Sequence, residues 1–234
     1  MHKLAIFAEG YTEVLLVQRL LEEIADKDNI VIKQIKIRGG RNIKRSVTTI
    51  VAAKPATNQN FHVLLIDCEG ENQVKTRILE EHQNLTNSGY YKILGIRDVS
   101  PNFSLGDIPN LMRGLKYKIK TALTPVEFVL ATMEVEAWFL AEHTHYEKIN
   151  PLITVGSVIT NLGFNPNTED MTIRPNPAND LNNVYALAAK AYIKGHGQTV
   201  NVLDIPDMYI NLKNKIASLK LLTDNIDEFL NLAT

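Results

Sequence analysis

The stretch that decides the fold is Leu4-Ala-Ile-Phe-Ala-Glu-Gly-Tyr-Thr-Glu13. Its apolar run from Leu4 to Phe7, bounded by a glycine, is typical of a strand that is buried on both faces. Apolar residues return at helical spacing from Val14, and Gly10 permits the tight turn between the two elements. The sequence therefore predicts a strand that ends at the carboxylate of Glu9 and turns directly into a helix.

Further acidic residues follow other predicted strands. The strand from Val63 to Ile66 ends in Asp67-Cys68-Glu69-Gly70, and strands alternate with helices along the first part of the chain. That alternation indicates an α/β fold, with a mostly parallel sheet flanked by helices. Sites in such sheets form at the carboxyl ends of the strands, so we expect one shared acidic pocket there. The acidic residues at predicted strand ends are Glu9, Asp67, Glu69, Asp98, Glu134 and Glu136.

Three segments resemble the Toprim domain, the metal-binding domain of topoisomerases, bacterial primases and overcoming-lysogenization-defect (OLD) nucleases. The turn Glu9-Gly-Tyr-Thr-Glu13 is similar to the first Toprim signature. The pair Asp67 and Glu69 is similar to the second, although Glu69 stands where Asp is usual. The segment Glu134-Val-Glu136-Ala-Trp138-Phe-Leu resembles RloB-like and related Toprim-like phage-defence proteins. The resemblance covers residues 3 to about 143 and implies a Toprim-like sheet.

The acidic residues also predict a hard divalent cation. Carboxylates that crowd together repel one another unless a cation neutralises them, and oxygen-only ligands favour Mg²⁺ or Mn²⁺. We expect Asp67, Glu69 and Glu9 to hold metal, with Glu9 serving alternatively as a general base. Glu13 would hold a second ion or support the first ligands.

Two further residues are expected at this site. Glu134 and Glu136 would lie on opposite sides if the strand before them continued, so only one need face the metal, and we favour Glu136. OLD nucleases use a lysine beyond the acidic motifs, and the resemblance makes Lys194 its catalytic counterpart. His143 and His145 are spaced like a metal-binding pair, but no third histidine supports one, so we expect a surface role.

The segment from Lys33 to Lys54 is basic and contains no acidic residue, although the formal net charge of the chain is −1. Each basic side chain there is open to two interpretations, a solvated surface or a phosphate contact. The pair Gly39-Gly40 would let the backbone approach a phosphate while arginines clamp it. The residues expected to bind nucleic acid are Arg38, Arg41, Lys44 and Arg45.

Length and composition favour one globular domain, or one domain with an appendage. The chain has 234 residues, of which 45% are hydrophobic. We expect a Toprim-like domain over residues 1–143 and a helical appendage packed on it over residues 144–234. No apolar run reaches the roughly 18 residues of a membrane helix, so no membrane is expected. The single cysteine, Cys68, fits the cytoplasm, excludes a cysteine-rich zinc site and is expected to pack inside.

Several helices are predicted from spacing outside the acidic motifs. One is expected from about Ile43 to Ala53, before Pro55. In the last part of the chain we expect helices at about Leu181 to Ile193, Pro206 to Leu219 and Asp224 to Leu232.

These features predict a Mg²⁺- or Mn²⁺-dependent nuclease that cleaves DNA or RNA. The resemblance implies a phage-defence effector with an ABC- or AAA-type ATPase as partner, and a homo-oligomer is possible. The alternative is a noncatalytic Toprim-like subunit that binds and regulates such an ATPase. The chain contains no Gly-x-x-x-x-Gly-Lys-Ser/Thr loop, Asp-x-Lys or Glu-x-Lys triplet, or Gly-x-Ser-x-Gly motif. The sequence thus disfavours a P-loop ATPase, a restriction-endonuclease core and a serine hydrolase.

Overall fold

A computed structural model of the chain describes residues 1–40, 43–54, 59–70 and 72–233. The strands are β1 (His2–Ala8), β2 (Ile30–Arg38), β3 (Ser46–Val51), β4 (Phe61–Asp67), β5 (Lys92–Asp98) and β6 (Val126–Ala131). They form one six-stranded sheet in the order β3-β2-β4-β1-β5-β6. All neighbours are parallel except β2 and β3. The predicted α/β fold with a mostly parallel sheet flanked by helices is confirmed.

Helices follow the strands and make up most of the last part of the chain. They are α1 (Tyr11–Ile24), α2 (Gln73–Asn87), α3 (Ile108–Lys116), α4 (Glu136–Ala141), α5 (His145–Ile149), α6 (Val155–Leu162), α7 (Pro177–Ala186), α8 (Gly197–Val202), α9 (Ile205–Ile210) and α10 (Ala217–Leu230). Short 3₁₀ turns lie at Leu105–Asp107, Met171–Ile173, Leu212–Asn214 and Asn231–Ala233. Within the described ranges, no helix is both long enough and apolar enough to cross a bilayer.

The strand order positions a crevice at the carboxyl ends of β1 and β4. These two strands are neighbours, and α1 leads from β1 to β2, on the far side of β4. Helix α2 leads from β4 to β5, on the far side of β1. Because the chain leaves the two strands in opposite directions, their ends border an open crevice, which is where ligands bind in sheets of this kind.

The two faces of the sheet pack into separate cores. On β1, Leu4 and Ile6 belong to a core shared with α1, α4, α7 and α10, whereas Ala5 and Phe7 belong to one shared with α2 and α3. This alternation is the two-residue period of a strand buried on both faces. Trp138 is fully buried in the first core. Since helices beyond residue 144 share that core with β1, the proposed division at residue 143 stays a prediction.

Residues Ser46–Val51 form β3, so the prediction of a helix from Ile43 to Ala53 was wrong. The run from Val47 to Val51 is β-branched at every position, and β-branched side chains lose χ1 freedom in a helix but pack well in a strand. The strand pairs antiparallel with β2 at the edge of the sheet, and all of its residues are exposed.

The last helices also differ from their predicted bounds. Helix α7 ends at Ala186 instead of Ile193, and Ala189 adopts a φ of 53°, which a right-handed helix does not accommodate. The helix predicted from Pro206 to Leu219 is α9, a 3₁₀ turn and the start of α10. Helix α10 continues to Leu230 because Leu219, Leu222, Ile226 and Phe229 form one buried face.

Replacing Gly95 with alanine tests the packing between β5 and the helix that covers it. A Cβ at Gly95 would lie 2.7 Å from Cδ1 of Phe128 and 3.0 Å from Cδ1 of Ile78. We expect Gly95→Ala to lower the free energy of unfolding by about 1–3 kcal/mol in urea titrations, because the core must shift. In Gly114→Ala, the matched control in α3, the new Cβ meets nothing within 4 Å, and stability should hold or rise by up to about 1 kcal/mol. Equal losses in both variants would contradict the packing.

Candidate metal centre

Acidic side chains from several elements border one cavity at the carboxyl edge of the sheet. The cavity has a volume of about 320 Å³. Its charged lining residues are Glu9, Glu13, Asp67, Glu69, Lys36 and Lys194. The end of β1, the first turn of α1, the end of β4 and the segment around Lys194 therefore all line the same cavity.

Asp98, Glu134 and Glu136 form the tightest acidic group. One carboxylate oxygen from each lies within 4.8 Å of the others. Among the described residues, this is the group of three side chains whose ligand atoms are close enough together to hold one metal ion. Strand β6 ends at Ala131, and Met133 then turns the chain with a φ of 62°. Because the strand does not continue, both glutamates approach Asp98, and the expected choice between them does not arise.

Lys194 lies among these carboxylates. Its Nζ is 3.4 Å from Oδ2 of Asp98 and 3.5 Å from Oε1 of Glu136. Partial burial lowers the pKa of Lys194, but the charges of Glu136, Asp98 and Glu13 outweigh burial and raise that pKa above its usual value. The ammonium group is therefore protonated across the physiological range, and it partly offsets the negative charge of the site.

Backbone and side-chain hydrogen bonds hold the Lys194 segment in place. The N–H of Gly195 donates to Oγ1 of the buried Thr12, at 2.7 Å. The hydroxyl of Tyr192 donates to Oε1 of Glu136, at 2.6 Å. The sequence predicted Lys194 but missed Tyr192 and the role of Thr12. The only available signals were that Tyr192 lies two residues before Lys194 and that Thr12 belongs to the first motif.

Two buried carboxylates have raised pKa values. Glu13 accepts a hydrogen bond from the N–H of Gly10, at 3.0 Å. Burial, and then the charge of Glu136, raise the pKa of Glu13 to about 7, although Lys194 acts in the opposite direction. Burial, followed by the charges of Glu13 and Glu9, raises the pKa of Asp98 well above its usual value. The site therefore contains two carboxyl groups that keep their protons at a higher pH than exposed carboxyl groups do.

Glu9 connects the three central strand ends. Its Oε2 accepts the backbone N–H of Asp98 at 3.0 Å, which fixes the carboxylate beside β5. Its own N–H donates to the carbonyl of Ile96, and its carbonyl accepts the N–H of Gly70 at 2.8 Å. The predicted strand-end carboxylate is thus held between β4 and β5.

Asp67 and Glu69 lie next to cations from β2. Lys36 places Nζ 3.4 Å from Oδ2 of Asp67 and 2.6 Å from Oε1 of Glu69. Nε of Arg38 is 2.5 Å from Oε2 of Glu69, and this hydrogen bond is the main reason that the pKa of Glu69 is lowered. The assignment of Asp67 and Glu69 as metal ligands stays a prediction.

Arg38, Lys44 and Arg45, which are predicted to contact nucleic acid, lie near the carboxyl end of β2, at the same edge of the sheet as the acidic cavity. Arg38 contacts Glu69, and Arg45 pairs with Glu81 and with Glu80. Lys44 is exposed. Arg41, the fourth predicted contact, lies outside the described residues. Binding of nucleic acid by this group stays a prediction.

The remaining candidates have structural roles. Cys68 is buried, as expected, and burial raises the pKa of its thiol, which disfavours the reactive thiolate. The expected surface role of His145 was wrong, because the ring is fully buried. It packs against the rings of Tyr146 and Tyr185, and its Nδ1 lies 3.2 Å from Oε2 of the buried Glu142.

Comparison with known proteins gives no relative. No family profile matches the chain, and no curated protein or solved structure is significantly similar to it. The resemblance to Toprim domains therefore rests on the sequence motifs and stays a prediction.

The raised pKa of Glu13 predicts a pH-dependent effect on stability. A carboxyl group with a folded-state pKa near 7 and an unfolded-state pKa near 4.5 binds its proton up to a higher pH in the folded chain. The stability that this protonated group contributes is therefore lost as pH rises from about 4.5 to about 7. We expect Glu13→Gln to gain stability relative to the wild type between pH 5 and pH 8, measured by urea unfolding without divalent ions.

Glu23→Gln is the matched control, since Glu23 lies on the same helix and is exposed. Its stability relative to the wild type should not change over the same pH interval. A difference that is constant with pH for Glu13→Gln would contradict the raised pKa.

Proposed function

We propose that this protein is a Mg²⁺- or Mn²⁺-dependent nuclease that hydrolyses phosphodiester bonds of DNA or RNA. The observation that supports this function most is the convergence of Asp98, Glu134 and Glu136, with Glu13 nearby, around the ammonium group of Lys194. Acidic residues at adjoining strand ends, together with a cation that can contact a phosphate, are the groups that phosphodiester hydrolysis requires.

The donor set fits a hard divalent ion. Every candidate ligand is a carboxylate oxygen, the type that Mg²⁺ and Mn²⁺ prefer. Oε1 of Glu13 and Oε2 of Glu136 are buried and have no hydrogen-bond partner within the described part of the chain. Buried acceptors without partners are costly, and a cation would satisfy them. Asp98, Glu134 and Glu136 would hold the ion, which would polarise the phosphate and favour deprotonation of an attacking water.

The side chains themselves supply the remaining functions. Lys194, held in its protonated form, offsets negative charge that develops on the phosphate during the reaction. Glu9 lines the cavity in an orientation fixed by the N–H of Asp98, so it is the candidate general base that takes the proton from water. Tyr192 orients the carboxylate of Glu136 by donating a hydrogen bond to it.

Substrate and partners form the less specific part of the proposal. The exposed basic residues Arg38, Lys44 and Arg45 near the crevice suit a phosphate backbone, and binding through them weakens as salt rises. We also propose a role in phage defence, an ABC- or AAA-type ATPase as partner, and a homo-oligomer. These proposals rest on the motif resemblance and on the sequence.

A second candidate is a noncatalytic subunit that binds and regulates an ATPase. The observation that favours it is that the site already contains its own cations. Lys194 lies beside Asp98 and Glu136, and Lys36 lies beside Asp67 and Glu69. These contacts reduce the repulsion between the carboxylates without any metal ion.

Calorimetric titration with Mn²⁺ separates the two candidates. We expect the wild type to bind Mn²⁺, and Glu136→Gln to weaken binding by about tenfold or more, because it replaces one carboxylate ligand with a neutral amide. Glu23→Gln should bind like the wild type. No Mn²⁺ binding by the wild type, together with a stable complex with an ATPase, would favour the noncatalytic subunit.

Cleavage assays test the reaction directly. We expect Asp98→Asn and Asp67→Ala to reduce Mg²⁺- or Mn²⁺-dependent cleavage of labelled DNA or RNA by about 100-fold or more, because each removes a candidate carboxylate ligand of the metal ion. Each variant should keep its folded circular dichroism spectrum, and Glu23→Gln should keep full activity. The assay should be run with and without the ATPase partner. Full cleavage by a pure, folded Asp98→Asn protein would rule out the proposed centre.

A further inference from the structure

A second pocket lies on the other side of Glu69 from the acidic cavity. It has a volume of about 270 Å³. Glu69 lines both pockets, so they are adjacent. The residues of this second pocket that matter for binding are Arg38, Gly39, Gly40, Gln73 and Arg77.

Arg77 is the unusual component of the second pocket. Its side chain is almost fully buried, with 2% exposed. Nη1 lies 2.9 Å from Oε2 of Glu80, and Nη2 donates to the carbonyl of Gly39. Nε is buried and has no hydrogen-bond partner among the residues that the structure describes. A buried guanidinium with an unused N–H is costly, and its planar set of donors matches the oxygens of a phosphate.

The pocket also adjoins the amino terminus of α2. Gln73 is the first residue of this 15-residue helix, and Arg77 lies one turn later on the same face. No side chain caps the helix, since Asn72 accepts no hydrogen bond there, and the described part of the first turn has no acidic residue. The positive end of the helix dipole favours an anion at this position, although the N–H of Gln73 itself already donates to the carbonyl of Gly70 at 2.9 Å.

The Gly39-Gly40 turn leaves room at the entrance. Gly39 has a φ of 76°, and a Cβ there would lie 2.4 Å from the carbonyl oxygen of Lys44, so only glycine fits. Gly40 has a φ of 144°, and a Cβ there would lie 3.7 Å from Nη1 of Arg77. The turn therefore crosses the buried guanidinium with no side chain between the backbone and the pocket.

Glu69, the one carboxylate among the described lining residues, is already paired. Glu69 is held by Lys36 at 2.6 Å and by Arg38 at 2.5 Å, and no contact joins it to Arg77 within the described ranges. Among the lining residues that the structure describes, there are two guanidinium groups, from Arg38 and Arg77, and one carboxylate, and Glu80 pairs with Arg77 from outside the lining. This balance leaves the pocket able to accept negative charge.

We propose that this pocket binds a phosphate group through Arg77, the amino terminus of α2 and the Gly39-Gly40 turn. If the proposed nuclease function holds, the group is a phosphate of the nucleic acid whose neighbouring linkage enters the acidic cavity. The affinity of the pocket for phosphate does not rest on that function, since no residue of the Asp98 group lines it.

The experiment uses the full chain in EDTA, so that the acidic centre binds no divalent ion. Inorganic phosphate is titrated by calorimetry into the wild type, Gln73→Glu and Gln83→Glu. A glutamate at position 73 adds negative charge beside the pocket, yet it suits the first turn of a helix, so the variant should fold. Gln83 is exposed on the same helix, about 15 Å away. Gln83→Glu therefore adds the same charge as Gln73→Glu but places it far from the pocket.

We expect phosphate to bind the wild type and Gln83→Glu with similar affinity, and Gln73→Glu at least about tenfold more weakly, a difference of about 1.4 kcal/mol. Arg77→Lys, which keeps the charge but removes Nε and the planar donor set, should also weaken binding. Absence of phosphate binding by the wild type, or equal affinities for the two glutamate variants, would overturn the proposal.

Oligonucleotides identify the source of the phosphate. A single strand with a 5′-phosphate and its 5′-hydroxyl twin are compared by fluorescence anisotropy in the same buffer. If the phosphorylated strand binds the wild type more tightly and Gln73→Glu abolishes that difference, the pocket binds a terminal phosphate. If Gln73→Glu weakens the binding of both strands equally, the pocket binds a backbone phosphate. If only inorganic phosphate responds to the variant, the pocket binds free phosphate. Metal-dependent cleavage that persists when no phosphate binds here would reject this pocket alone, and phosphate binding without any cleavage would reject the nuclease alone.

Discussion

The site depends on the ion pairs that the ammonium group of Lys194 makes with Asp98 and Glu136. Asp98 and Glu136 are almost entirely buried, and Glu13 is buried nearby, so their negative charges repel one another in a poorly screened environment. One cation 3.4–3.5 Å from two of these groups reduces that repulsion. The contacts of Gly195 with Thr12 and of Tyr192 with Glu136 follow from this requirement, because they hold the lysine segment against the sheet.

The crevice has two electrostatically different halves. On the β5 and β6 side, buried carboxyl groups have raised pKa values and unused oxygens, so they are prepared to exchange protons or to accept a cation. On the β2 and β4 side, Glu69 is more exposed, and Lys36 and Arg38 keep it charged. Glu9 lies between the halves, hydrogen-bonded to the backbone at both neighbouring strand ends. A phosphate that lies across the crevice would therefore face Lys36 and Arg38 on one side and Lys194, among its carboxylates, on the other.

The sequence predicted the sheet and the strand-end acids because both depend on local patterns. A buried apolar run followed by an acidic residue and a glycine places that acidic residue at a strand end, whatever the rest of the chain does. The ion pairs of Lys36 and Arg38 depend on β2 lying beside β4, and the order of strands along the chain does not give that neighbour. The burial of Arg77 and His145 could not be predicted from apolar spacing. Arg77 is a charged residue on the polar helix α2, and His145 begins the five-residue helix α5. Strand β3 was missed because Ile43, Val47 and Ile50 also recur at helical spacing, although every residue from Val47 to Val51 is β-branched.

The Thr12–Gly195 hydrogen bond joins residues separated by 183 positions, so it forms only after residue 195 has been synthesised. During synthesis on the ribosome, β1, β5 and β6 emerge well before residue 194, and Asp98 and Glu136 then lack the ammonium group of Lys194. The nascent sheet must tolerate that uncompensated charge, with water or free cations around it, until the last third of the polypeptide docks. Completion of the acidic centre by Lys194 is accordingly a late step, and a chain that ends before residue 194 would lack that ammonium group.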